Sequence, residues 1–218
     1  MGGNGVFSNY SGVKVPAPPP FDVIPPDQGG GCVLTGPFSN MTVNLGPVAG
    51  NIPDVLPNPR MDGFGFNPRC LRRDINHFAS SVTTTNFTLA LIRDSPDIET
   101  FQTVMQGQFD LGLWGVHTGG HFTIGGDPGG DFFTSPGDPA FYLHHGMIDR
   151  VWWIWQMQDL ATRQEAIAGT LTIQNSPPSR NATLEDINDL GVNGEGVPLG
   201  QLLSTMGGNN GKFCYIYE

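Results

Sequence analysis

Four histidines, His117, His121, His144 and His145, fall between Gly112 and Gln156, although the whole chain of 218 residues holds only five. His117 and His121 are four residues apart, about one helical turn, so on a helix both imidazoles leave the same face. His144 and His145 follow at the start of a second apolar stretch rich in tryptophan. An HxxxH pair and a third histidine from a second helix can surround one metal ion with three neutral nitrogens. Imidazole serves zinc, copper, iron and nickel alike, so the ligand type leaves the metal open. Three nitrogens with no carboxylate or thiolate beside them keep a coordination position free, as a reactive centre requires.

Such ligands need helices to hold them. Asp138-Pro139 combines a capping side chain with proline at the first helical position, and predicts the start of the longest helix, running to about Ile167. His144 and His145 then lie one turn inside a capped helix, and Trp152, Trp153 and Trp155 read as its core face. The HxxxH pair sits on a helix expected from about Leu111 to His121. Gly112, Gly115, Gly119 and Gly120 weaken that helix, so they read as places of close backbone approach. Upstream, Pro68–Asp74 predicts a short helix and Thr84–Arg93 a second. Ser95-Pro96-Asp97 opens a third that runs to Gln106 and stops at Gly107. Residues 125–137 read as a loop. Residues 1–60 are dense in turn formers and read as an irregular segment wrapped over the domain, with one short strand at Met41–Leu45. No internal repeat and no second domain are visible.

Composition narrows the class. The chain carries 31 Gly and 19 Pro with only 14% charged residues, which implies long loops, while 38% apolar residues and 14 Phe imply a packed core. A formal charge of -10 disfavours nucleic acid and anionic membrane surfaces as partners. No apolar run is long enough to cross a membrane. Cys32, Cys70 and Cys214 are far apart and in no CxxC spacing, so they form no metal cluster, and their odd number leaves one thiol outside any pair within the chain. Four sequons, at Asn9, Asn40, Asn86 and Asn181, point to a secreted glycoprotein. The N-terminus has neither a basic region nor an apolar run, so a secreted protein would not begin at this Met1.

The residues around His145 carry a more specific signal. Asp138-Pro-Ala-Phe-Tyr-Leu-His-His-Gly-Met-Ile-Asp-Arg-Val-Trp-Trp-Ile-Trp-Gln156 resembles the second copper motif of the tyrosinase and catechol oxidase family, the type 3 dicopper phenol oxidases. Gly115-Val-His117-Thr-Gly-Gly-His121-Phe122 resembles the HxxxH half of the same copper site. Gly31-Cys-Val, Gly36-Pro-Phe-Ser-Asn-Met-Thr-Val-Asn-Leu-Gly46 and Cys70-Leu-Arg-Arg-Asp74 are similar to stretches of the short fungal members, and Tyr215-Ile-Tyr217 to the tyrosine pair that closes their catalytic core. The resemblance implies a mainly helical fold, part of an antiparallel bundle holding copper, with long irregular Pro/Gly-rich loops and little strand. It implies copper bound by His117, His121 and His145. His144, Asp149 and Arg150 would stand behind those ligands, with Asp149 a candidate for orienting an imidazole. Phe141 would lie over the copper and touch substrate, and Phe122 and Thr118 would face the substrate entrance.

The partners so implied are a small phenol and O2, with o-diphenols oxidised to o-quinones. Hydroxylating members hold a water with a Glu and with an Asn placed after the first of these histidines. Here Thr118 follows His117 and Gln108 stands nine residues upstream, so diphenol oxidation is expected over monophenol hydroxylation. The family's first copper needs three more histidines, and His77 in Asp74-Ile-Asn-His77-Phe78 matches no such motif. Residues 61–218 are therefore expected to be the second-copper half of a catalytic domain, ending at the Tyr-x-Tyr pair, with the first-copper half missing and the isolated chain weakly active at best. Three other readings share the same ligands: an oxygen-binding protein of the hemocyanin type, a mononuclear zinc or copper enzyme, and an inactive fragment.

Overall fold

Asp138 shows how the main helix is set. In the computed structural model, which describes residues 2–218, its Oδ1 accepts the main-chain N–H of Ala140, 2.8 Å away. Its two oxygens also take the guanidinium of Arg73 at 2.7 and 2.8 Å, with both side chains buried. The cap expected at Asp138-Pro139 is thus present and is tied to the chain sixty-five residues upstream. Met1, set aside above as an improbable start for a secreted protein, lies outside the described residues.

Regular structure is mainly helical, with little strand. In chain order the elements are β1 (Val13–Lys14), β2 (Val23–Ile24), β3 (Thr42–Val43), β4 (Arg69–Cys70), α1 (His77–Ser80), α2 (Thr85–Asp94), α3 (Ile98–Gln106), β5 (Gly107–Gln108), β6 (Leu113–Trp114), α4 (Val116–Ile124), α5 (Ala140–Met157) and α6 (Leu160–Arg163), followed by two further short strands and a helical turn. The strands pair only in antiparallel twos, β1 with β2, β3 with β4 and β5 with β6.

Two expectations fail. Pro68–Asp74 is not a helix: it holds β4, whose Cys70 stands opposite Thr42 of β3 and is joined by a disulfide to Cys32. Arg69 grips Asp127 and Arg73 grips Asp138, so long-range pairing of this arginine-rich segment overrides a proline start signal. Second, α5 stops at Met157 rather than near Ile167. Arg163 donates to the carbonyl of Trp155 at 2.9 Å and stacks over its ring at 4.4 Å. Arg163, from the turn that follows, thus helps satisfy a carbonyl in the last turn of the helix.

The contacts group the chain into two compact units. The first takes the chain up to Leu89 with Val104–Ile148; the second takes Ala90–Thr103 with Asp149–Glu218. The first unit is built on a cluster of Tyr10, Val13, Val15, Ile24, Ile52, Ala79 and Phe122, and on a second of Val33, Val43 and Leu71 beneath the disulfide. In the second unit Trp155 is fully buried, packs on Phe101 at 5.0 Å and donates its indole N–H to the carbonyl of Ser95.

Candidate metal centre

The helix carrying His117 and His121 starts later than its sequence suggests, because β5, a single 3-10 turn and β6 intervene. Gly112 ends that turn with φ near +69°, and its missing side chain leaves room for the Phe21 ring. Gly115 lies against the backbone of Met105, Gly119 against Val82 and the Ala79 carbonyl, and Gly120 against the His144 ring. A methyl group at Gly115, Gly119 or Gly120 would overlap these neighbours, so the glycines that weaken α4 are what let it approach them.

Three imidazole nitrogens converge. His121 Nε2 lies 3.2 Å from His117 Nε2 and 3.1 Å from His145 Nε2. A neutral imidazole has one N–H, so these three facing nitrogens cannot all be satisfied by one another. A shared cation would resolve the conflict. Two nitrogens each about 2.05 Å from one ion, at a tetrahedral angle, are about 3.3 Å apart, close to the separations seen. With His144 the donor atoms all lie within 4.8 Å of one another, and no other such group of His, Cys, Asp or Glu occurs among the described residues.

The tautomers agree with that use. His117 Nδ1 is 2.7 Å from Gln106 Oε1, an acceptor, so Nδ1 carries the proton and Nε2 keeps its lone pair. Gln106 is a site residue that the sequence reading missed in favour of Gln108. The register of β5 with β6, Gly107 opposite Trp114, brings the end of α3 beside the start of α4. Thr118 Oγ1 donates to the main-chain carbonyl of the same Gln106 at 2.6 Å. His144 donates Nε2–H to the carbonyl of His117 at 2.8 Å, which ties α5 to α4. Burial, reinforced by neighbouring imidazoles, pushes His117 down to about 4 and His121 to about 3. Burial lowers His144 to about 4 despite its bond to the His117 carbonyl, and it lowers His145 as well. All four rings are neutral at pH 7, the form that ligates a metal.

Phe141 stacks on His145, with centroids 4.0 Å apart and planes at 26°, and its ring lies 5.7 Å from that of His121. A cavity of about 390 Å³ opens beside the histidines, lined by Gln106, Thr118, Phe122, Phe132, Phe133 and Phe141 among others. Phe122 is nearly buried, with its ring edge-on to Trp114. Asp149 and Arg150 are occupied elsewhere: the carboxylate of Asp149 accepts the hydroxyls of Tyr215 and Tyr217, and Arg150 donates to the main-chain oxygen of Glu218. His77 is exposed and hydrogen-bonds Asp27 at 2.7 Å.

The site gathers four histidines from two helices close enough together to hold a metal ion, with an aromatic wall and an apolar cavity beside them. The chain belongs to the tyrosinase family: the common central domain of tyrosinase matches residues 1–158. It is 39% identical over 197 residues to "Tyrosinase P" of Aspergillus terreus, covering 89% of this chain and 53% of that protein. It is 36% identical over 203 residues to an N-acetyl-6-hydroxytryptophan oxidase of Emericella nidulans, covering 88% and 54%. A mutant polyphenol oxidase from Thermothelomyces thermophila superposes with a TM-score of 0.86 at 42% identity, over all of this chain and 59% of that one. The chain spans about half the length of the curated relatives it matches.

Proposed function

We propose that this chain supplies one copper centre of an enzyme that oxidises o-diphenols to o-quinones with O2. The observation that carries the reading is the convergence of His117, His121 and His145 Nε2 beside an apolar, phenylalanine-lined cavity in a member of a copper-binding oxidase family. His117, His121 and His145 would hold the copper, which would supply reversible one-electron redox chemistry. Each diphenol gives up two electrons and two protons, so two diphenols and one O2 yield two quinones and two waters.

The chain's own residues do the rest. Gln106 keeps the proton on His117 Nδ1, and the His144 bond to the His117 carbonyl fixes the spacing of the two helices. Phe141 covers His145 and offers its free face and edge to a phenol ring. Phe122, Thr118 and Phe132 line the cavity and keep water from the open side of the centre. Gln108 lies on β5 and does not line the cavity, and Thr118 spends its hydroxyl on a carbonyl, so neither offers a base for a monophenol; diphenol oxidation is the reading these residues favour. The second copper of a type 3 pair would need three further nitrogens, which we place on a segment outside this chain.

Secretion is supported by two features. All four sequon asparagines are exposed, and the Cys32–Cys70 disulfide suits an oxidising compartment. No helix among the described residues is long and apolar enough to cross a membrane. Oxygen uptake with a simple catechol, measured on the copper-loaded chain with and without the upstream half, tests the proposal. Quinone formation that requires both parts supports it. Reversible oxygen binding with no quinone would favour the hemocyanin-type alternative instead.

A further inference from the structure

A second concave surface lies next to the cavity that holds the histidines. Its volume is about 590 Å³, and its apolar lining includes Leu45, Val48, Phe64, Phe133 and Pro136. Phe133 and Pro136 line both spaces, so the two share a wall. A volume of about 150 Å³ already accepts benzene. The 390 Å³ beside the histidines therefore suffices for a phenol ring, and the neighbouring space is surplus to it. Together they remain within the size of sites that hold drug-sized ligands.

The surface is built rather than incidental. Large apolar side chains are left in water around it: Phe64 is 70% exposed, Phe133 63% and Leu45 49%. Exposed aromatics gathered round a concavity mark a ligand site more often than a bare surface does. Part of the lining backbone is held by one buried carboxylate. Asp131 Oδ2 accepts the N–H groups of Val48 and Ala49, both at 2.9 Å, while Oδ1 accepts those of Phe133 and Thr134 at 2.8 Å. The same side chain thus fixes the loop on the far side of the groove and the wall it shares with the histidine cavity. Asn58 holds the remaining edge, donating to the carbonyls of Gly46, Gly63 and Gly65.

We infer that this groove is a second subsite, which takes an aromatic or similarly apolar arm of a phenol whose hydroxylated ring sits beside the histidines. The preferred substrates are then extended, two-ring phenols rather than simple catechol. The inference rests on the phenol-oxidase reading for the inner ring, while the groove itself can be tested without turnover.

The test is equilibrium binding to the full chain, by ligand NMR titration, of catechol, 4-phenylcatechol and biphenyl, repeated with Phe64→Ala and with Leu45→Ala. We expect 4-phenylcatechol to bind about tenfold or more tightly than catechol, and either variant to remove most of that gain without changing the catechol affinity. Equal affinity of catechol and 4-phenylcatechol, or a gain that both variants leave intact, would overturn the subsite. Biphenyl binding that depends on Phe64, in a protein that binds no catechol beside the histidines, would uphold the groove while the phenol-oxidase reading fails.

Discussion

Replacing Gln106 by leucine isolates the role of one hydrogen bond. In the structure Gln106 Oε1 holds the His117 Nδ1 proton at 2.7 Å, so that Nε2 faces its partners as a lone pair. Leucine keeps the bulk and removes the acceptor. Without copper the bond is neutral and contributes about 1 kcal/mol. With copper on Nε2 the imidazole becomes a stronger donor, and the bond should contribute roughly 1.5–3 kcal/mol. The difference between the two states, about 0.5–2 kcal/mol, should lower the copper affinity of Gln106→Leu about 2–30-fold, overlapping the range typical of partners that orient a ligand histidine. Folding should be affected far less, because Gln106 is exposed and the Thr118 hydroxyl bonds its main-chain carbonyl, which the substitution keeps. Competition against a Cu(I) chelator would read the affinity, and thermal unfolding of the copper-free protein would read the stability. Unchanged copper affinity would refute the argument that Gln106 sets the tautomer. A Tm loss in proportion to the affinity loss would refute its separation from folding.

Further expectations concern the helices and their charge. Gly120→Ala should lower the stability of the copper-free chain by about 1–3 kcal/mol, since the new methyl overlaps the His144 ring, whereas Gly146→Ala meets nothing within 4 Å and should gain up to about 1 kcal/mol; paired denaturant melts would show both signs. Asp138→Ala removes the α5 cap and two bonds to the buried Arg73 guanidinium, and should cost about 3–5 kcal/mol in the same assay. The site histidines have folded pKa values below the unfolded value of 6.5, so between pH 6.5 and about 4 the unfolded chain binds more protons. The copper-free protein should lose stability through that window, by up to roughly 3 kcal/mol for His117 alone, and remain level above it. A denaturation midpoint that does not change from pH 7 to pH 4 would contradict the burial of these rings.

The histidines that the structure brings together were legible in the sequence because their signal is local. The spacing of His117 and His121 holds on any helix, and Asp138-Pro139 caps α5 in the structure as its residue types imply. What failed was settled over long distances. Pro68–Asp74 has a helix-start composition, but its arginines and Cys70 pair with Asp127, Asp138 and Cys32, partners that no window of sequence reveals. At the end of α5, Arg163 turns back onto Trp155. Gln106 could not be singled out, because its place beside His117 comes from the β5–β6 register, and an exposed glutamine eleven residues upstream carries no spacing signal of its own. Asp131 is similar: it reads as a loop acid and proves to be a buried acceptor of four backbone N–H groups. Burial alone would raise its carboxyl, and those bonds more than offset that, holding it below the ordinary range.

His117, His121 and His145 are proposed to form one site for copper. The most direct test is elemental analysis of the purified chain after copper loading and removal of free metal, beside His121→Ala and His145→Ala. About one copper per chain is expected in the parent and nearly none in either variant, with all three proteins folded. Copper retained at full occupancy in both variants, or a parent chain that holds none, would contradict it.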